Sequence, residues 1–313
     1  MSNNSFVLLH KDLDVRQFIS SALKEDIGSG DHTSISTIPA SAKGKSQLII
    51  KDNGILAGVS LAEKIFKQYD KNLSVKVFLA DGSKIKKGDI AFTVEGSARS
   101  ILTTERLVLN CMQRMSGIAT QTNKFANLCK PYKTKLLDTR KTTPLIRGLE
   151  KWAVRIGGGH NHRYGLYDMI LIKNNHIDFV ARNPDKVGTR GIKNAIESAN
   201  EYLKKMSAKR AMAQGAKKLN LKIEIEVRNV KEVKEVISVA GTRHVVSVHR
   251  ILLDNFSPAE IRKAITLIGS KFESEISGGV NEKTFFQANA HTICLQLLLV
   301  NMFLKSLTQK TNK

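Results

Sequence analysis

From Lys133 onward the chain repeats one texture, a short apolar run of strand length followed by a stretch with helical spacing. The runs Lys135–Leu137, Met169–Lys173, Lys222–Val227, His244–Val248, Ile251–Leu253 and Glu275–Ser277 are interspersed with the helical stretches Ile192–Met206, Val230–Val239 and Pro258–Ile268. Short buried strands alternating with helices predict parallel β/α packing, as an open sheet or a barrel. Such folds place their active sites at the carboxyl ends of the strands. Several of these runs end at or beside a polar residue: Asp138, Lys173, Glu226, Asp254 and Ser277.

The first third of the chain has a different pattern. Apolar residues from Asp12 to Glu25 recur at helical spacing and stop before Gly28. Between Ser46 and Gly96 the runs Gln47–Ile50, Leu73–Leu79 and Ile90–Val94, punctuated by glycines, predict a small sheet with a helix over Leu61–Tyr69. A long helical pattern from Ile101 to Cys129 then connects the two regions, with Ser116-Gly117 as the expected break. At 313 residues the chain exceeds what one hydrophobic core commonly serves, roughly 250–300 residues, so two domains are expected. The expected division is 1–118, completed by 285–313, and 119–284.

The composition narrows the function classes. Fifty Lys and Arg stand against twenty-eight Asp and Glu, a formal charge of +22 that calls for anionic partners or a tolerant solvent. No helix-turn-helix, RNP or zinc-finger pattern accompanies it, which argues against a nucleic-acid-binding module. Cys111, Cys129 and Cys294 are widely spaced, suggesting neither a disulfide framework nor a zinc site. Met1–Leu9 lacks the pattern of a secretory signal, and the run Ile293–Leu304 is too short to span a bilayer. A soluble, cytoplasmic protein is expected.

Chemistry concentrates between Asp138 and Ile177. That stretch holds Arg140, Lys141, Arg147, Lys151, Arg155, Arg163 and Lys173 with His160, His162 and His176, against three acids. Cations so crowded repel one another unless an anion or solvent compensates. Arginine suits bidentate recognition of carboxylate or phosphate, and lysine supplies a compact point charge. The glycines Gly157–Gly159 allow close backbone approach just before His162-Arg163. Plainer roles suit other residues. His176 reads as a cap, His160 as an exposed neighbour, Glu150 and Lys151 as solvated helix residues or a weak ion pair, and Trp152, Tyr164 and Cys111 as packing groups. The lysine-rich stretch from Arg182 to Leu221 reads as an insertion with a solvated helix face.

The order of these motifs resembles the quinolinate phosphoribosyltransferase family. The resemblance lies in Glu105-Arg106, Asn110-Cys111-Met112-Gln113-Arg114-Met115-Ser116-Gly117-Ile118-Ala119-Thr120, Asp138-Thr139-Arg140-Lys141-Thr142-Thr143-Pro144 and Gly157-Gly158-Gly159-His160-Asn161-His162-Arg163. It continues through Leu171-Ile172-Lys173-Asn174-Asn175-His176, Ile223-Glu224-Ile225-Glu226-Val227, Leu252-Leu253-Asp254-Asn255 and Ser277-Gly278-Gly279. The resemblance implies an α/β protein: an N-terminal α/β sandwich and a β/α barrel of the type II phosphoribosyltransferase kind. It implies transfer of phosphoribosyl from 5-phosphoribosyl pyrophosphate to quinolinate with decarboxylation, in NAD biosynthesis, by a dimer or an assembly of dimers. Arg140, His162 and Arg163 match positions that hold quinolinate, and Lys141 and Lys173 would lie between its carboxylates and the pyrophosphate. Arg106 matches a residue lent by the neighbouring subunit. Glu226 and Asp254 match carboxylates that hold the ribose and, directly or through water, Mg²⁺, with Glu224 a secondary candidate on the same side of its strand. Ser277, Gly278 and Gly279 would cradle the 5′-phosphate.

The sequence departs from the family in three places. Leu145-Ile146 replaces a Gly-Leu pair after the proline, and Asn174 stands where an acid is usual. Past Asn281 the expected Gly-Val-Asp strand and Ala-Leu-Thr segment give way to Ala290–Val300, which leaves the second wall of the phosphate site unrecognisable and raises the alternative of a catalytically impaired member. Codons permitted for Cys294–Leu299, read one nucleotide earlier, can encode Ser-Ser-Ala-Leu-Thr, so a frameshifted 3′ end is an expectation that resequencing tests.

Overall fold

The computed structural model describes residues 14–132, 134–181, 191–211, 221–240, 248–279, 292–294 and 308–311. In chain order the first elements are α1 (Val15–Ile27), α2 (His32–Thr37), β1 (Lys43–Ile49), β2 (Gly54–Ile55), α3 (Val59–Tyr69), β3 (Ser74–Val77), β4 (Lys84–Ile85), β5 (Ile90–Ser97) and α4 (Ala98–Cys129). There follow β6 (Lys135–Leu137), α5 (Arg147–Ile156), β7 (Ile170–Ile172), α6 (Asn174–Ala181), α7 (Gly191–Ala211), β8 (Ile223–Val227), α8 (Val230–Ala240), β9 (Arg250–Asp254), α9 (Pro258–Ile268), β10 (Glu273–Ser277), β11 (Thr292–Cys294) and β12 (Thr308–Thr311). These segments form two compact units, one from Met1–Asn127, Lys141–Asn161 and Leu297–Lys313, the other from Leu128–Arg140 and His162–Gln296.

In the first unit α1 starts where the Asp14 side chain accepts a bond from Gln17 N and stops at Gly28, whose φ of 54° suits glycine. An antiparallel sheet in the order β12-β1-β5-β3 packs its apolar residues with α1, α3, α4 and α5 into one core. Phe66 of α3 and Phe92 of β5 meet edge to face with ring centroids 6.0 Å apart. The expected break in α4 is absent. Ser116 Oγ instead accepts from Ala57 N and donates to Ala57 O, and Thr120 Oγ1 accepts from Ile55 N, so small polar residues let the Gly54–Gly58 backbone lie against an unbroken helix.

Helix α5 follows residue 118 yet belongs to the first unit. Its Leu149, Trp152 and Ala153 join the core that holds Ala57 and Met112, and each large apolar side chain so buried contributes roughly 1.5–3 kcal/mol. Glycine is required at its end. A Cβ on Gly157 would lie 2.5 Å from Ala119 O and 2.6 Å from Thr122 Cβ. The reading of Glu150 and Lys151 as solvated fails for the same reason, since they are 5% and 4% exposed.

The second unit is built on a six-stranded sheet in the order β6-β11-β10-β9-β8-β7, every neighbouring pair parallel. The α/β class and the parallel β/α packing of barrel type thus follow the sequence pattern. Ser257 and Glu260 form a capping box with Pro258 opening α9, a start signal written in the sequence. Helix α6 begins directly after β7, where only a cap was expected, and His176 is indeed one: its Nδ1 accepts from Lys173 N at 2.8 Å. The expected run His244–Val248 falls largely outside the described residues, and Val248 is in no strand. Lys204, Lys205 and Lys209 are exposed on α7, while Lys217 and Lys218 are not among the described residues. Of the divergent segment Ala290–Val300, only Thr292–Cys294 is described, as the strand between β10 and β6.

Candidate active site

Because the strands of the second unit run parallel, their carboxyl ends share one edge of the sheet, and the polar residues singled out in the sequence stand there. Asp138 and Arg140 follow β6, Lys173 follows β7, Glu226 is next to last on β8, Asp254 ends β9, and Ser277-Gly278-Gly279 close β10, while Glu224 lies two residues earlier on β8, level with Arg250 at the start of β9. Asp138, 4% exposed, accepts a bond from His162 N at 2.9 Å and so ties the loop carrying His162 and Arg163 to the end of β6.

His162 enters a buried charged cluster. Its Nε2 lies 3.0 Å from Glu224 Oε2 and 3.7 Å from Glu275 Oε2. Arg250 completes the cluster: Nη1 is 2.7 Å from Glu275 Oε2 and 3.5 Å from Glu224 Oε2, and Nη2 is 2.6 Å from Glu273 Oε2. Strand register explains the grouping, since Arg250 on β9 is the partner of Glu224 on β8 and of Glu273 on β10. Burial by itself would lower the His162 pKa, but the hydrogen bond and charge of Glu224, with the charge of Glu275, outweigh burial and the Arg250 charge and raise it. Arg163, 9% exposed, donates to Met169 O at 3.3 Å. Burial first, then the charge of Arg140, lowers its pKa, so two guanidinium groups stand near enough to repel.

On the neighbouring strands Lys173 Nζ lies 3.3 Å from Glu226 Oε2. Asp254 Oδ2 accepts from Asn255 Nδ2 at 3.0 Å. Asn255 has a φ of 57° and its N donates to Ser277 O at 2.9 Å, which brings the turn after β9 against the turn after β10. There a Cβ on Gly278 (φ 81°) would sit 2.1 Å from Asn255 Oδ1, so only glycine fits. Glu226 and Asp254 offer hard oxygen donors, and one or two carboxylates with substrate phosphates are the usual holders of Mg²⁺. Among the described residues the His/Asp/Glu grouping tight enough for direct coordination is instead His162, Glu224 and Glu275, and the Arg250 guanidinium already supplies its cation.

The structure therefore groups Arg140 with Arg163, His162 with Glu224, and Lys173 with Glu226. Arg106 and Lys141, both exposed, belong to the first unit. Sequence reasoning missed Arg250, Glu273, Glu275 and the role of Asp138. Glu275 had a signal, because it sits two residues before Ser277 on the same face of a strand. Arg250 had none, since its partners come from two other strands.

The residues 118–297 match the model of the quinolinate phosphoribosyl transferase C-terminal domain, and 31–116 match that of the N-terminal domain. The chain belongs to the quinolinate phosphoribosyltransferase family. The rice (Oryza sativa subsp. japonica) "nicotinate-nucleotide pyrophosphorylase [carboxylating], chloroplastic" is 40% identical over 285 residues, 88% of this chain and 71% of that protein. A Bacillus subtilis (strain 168) protein named "probable nicotinate-nucleotide pyrophosphorylase [carboxylating]" is 34% identical over 268 residues, 86% of this chain and 82% of its own. In solved structures, the nicotinate-nucleotide pyrophosphorylase of Francisella tularensis superposes with a TM-score of 0.76 at 32% identity, covering 95% of each chain.

Proposed function

We propose that this chain transfers phosphoribosyl from 5-phosphoribosyl pyrophosphate to quinolinate, releasing pyrophosphate and CO₂ and giving nicotinate mononucleotide for NAD biosynthesis. It is a pentosyltransferase. The observation that carries this reading is that Arg140, just after β6, lies near enough to the buried Arg163 for its charge to lower the Arg163 pKa, which places together two guanidinium groups of the kind that recognise carboxylates. In this reading Arg140, His162 and Arg163 hold quinolinate, while Lys141 and Lys173 stand between its carboxylates and the pyrophosphate. Glu226 and Asp254 hold the ribose hydroxyls and oppose the positive charge that grows on carbon 1 as pyrophosphate departs. They would also hold Mg²⁺, directly or through water; when bound, the ion neutralises charge on the leaving pyrophosphate. Ser277, Gly278 and Gly279 hold the 5′-phosphate. The residues supply fixed charge and orientation, and none is needed as a covalent nucleophile.

The proposed assembly is a homodimer, or a set of dimers, in which Arg106 serves the partner's site; its exposure on α4 supports this. No helix among the described residues is long and apolar enough to cross a membrane. We place the enzyme in the cytoplasm, a reading supported by the free thiols Cys111 and Cys129. Cell fractionation tests it, because plant relatives carry the labels chloroplastic and mitochondrial. The binding reading is tested by calorimetry with quinolinate. Arg140→Ala should weaken binding roughly 10–100-fold, the loss of a hydrogen bond between charged groups, and unchanged affinity would remove Arg140 from the site.

A further inference from the structure

The buried Glu150 carboxylate is used by nothing in the reaction as described, yet it gathers its bonds at one place. Oε1 accepts from Arg114 Nε at 2.9 Å, from Arg114 Nη2 at 2.6 Å and from Thr143 Oγ1 at 2.9 Å, and Oε2 accepts from Thr143 N at 3.0 Å. Arg114 Nη2 also reaches Thr143 Oγ1 at 3.2 Å. One residue earlier, Thr142 Oγ1 accepts from Arg147 Nε at 2.9 Å. Every one of these groups lies in the first unit: Arg114 on α4, Glu150 and Arg147 on α5, and the threonines on the segment that follows Lys141.

Two properties of the pair bear on its purpose. The Glu150 side chain is 7% exposed and that of Arg114 22%, so both charges are largely withdrawn from water. Desolvation of such a pair offsets most of its attraction, which makes it a poor device for stability alone. Its geometry is specific, however. A backbone N–H and a hydroxyl of a segment without helix or strand structure are bound to the same carboxylate that is bound twice by a guanidinium, and this fixes the backbone where rotation would otherwise be free.

We infer that Glu150 and Arg114 are positioning residues whose ion pair fixes the Thr142–Thr143 backbone and thereby holds Lys141 in place for the transfer. The inference rests on the reading of Lys141 as a site residue. Displacement of a catalytic group by about 1 Å can cost about 10²-fold in rate. Glu150→Gln keeps the shape but leaves one acceptor oxygen for donors that now use two.

The test is a double-mutant cycle on the full-length protein with Lys141→Ala, Glu150→Gln and both together, reading kcat/KM and Tm. Glu150→Gln should lower kcat/KM roughly ten- to a hundredfold in the native background. In the Lys141→Ala background it should change kcat/KM less than about twofold, because the group it positions is gone. An equal loss in both backgrounds, or no loss in the native one, overturns the inference and leaves Lys141 its role. Lys141→Ala with unaltered kcat/KM overturns the reading of Lys141 and the inference with it. Should Glu150→Gln not fold, Arg114→Lys keeps the charge while losing the forked contact, and the same non-additivity is expected of it.

Discussion

His162 Nε2 lies 3.0 Å from Glu224 Oε2, and the two side chains are 6% and 1% exposed. Glu275 on β10 and Arg250 on β9 face the same pair, while Asp138 binds the His162 backbone. Glu224 and Glu275 thus favour the charged form of this imidazole within the second unit.

Stability should depend on that charge. The folded pKa of His162 is raised, so its contribution is complete below the unfolded value, about 6.5, and disappears as pH rises through the folded value. Urea unfolding between pH 6 and 9 should show stability falling with pH, and Glu224→Gln should flatten the slope. Equal slopes in the two proteins would show that Glu224 does not set the charge of His162.

The two ends of the sheet edge should separate in kinetics. Arg163→Lys should raise KM for quinolinate by about tenfold or more, because a point charge replaces a planar fork, with KM for 5-phosphoribosyl pyrophosphate little changed. Glu226→Ala and Asp254→Ala should do the reverse. A change in both KM values by the same factor in every variant would contradict the assignment.

Gly278→Ala places a methyl 2.1 Å from Asn255 Oδ1 at a φ of 81°. Strain of this kind costs about 1–3 kcal/mol, so Tm should fall and KM for 5-phosphoribosyl pyrophosphate should rise. Asn255→Gly in the same chain should recover part of both. A variant with native Tm and native KM would mean that the two turns are not in contact.

Burial pushes the Cys111 thiol up to about 12 and the Cys129 thiol up to about 11. At pH 8 the thiolate fractions are then on the order of 10⁻⁴ and 10⁻³, and only the thiolate reacts. Iodoacetamide should leave both unlabelled in the native protein and label both in urea, as read by peptide mass spectrometry. Native labelling at Cys111 would show that α4 does not pack as described.

The parts legible in the sequence share a cause: they are local. The helix over Pro258–Ile268, the strand length of Ile223–Val227 and the glycines at 278 and 279 each reflect a backbone requirement met by neighbours in the chain. What escaped is what distant segments decide together. Glu150 reads as a surface acid until Arg114, 36 positions away, is folded onto it. The Ser116-Gly117 pair reads as a break until the Ala57 backbone supplies its partner. Leu145 shows a local rule overridden: it is 95% exposed and has a φ of 66°, a backbone conformation that favours glycine.

The most direct measurement is turnover by the purified chain with quinolinate labelled in its 2-carboxyl group, 5-phosphoribosyl pyrophosphate and Mg²⁺. The account predicts labelled CO₂ and nicotinate mononucleotide in equal amounts, both abolished when either substrate is left out. Folded protein that binds quinolinate but releases neither product would contradict it and identify a family member that has lost the transfer reaction.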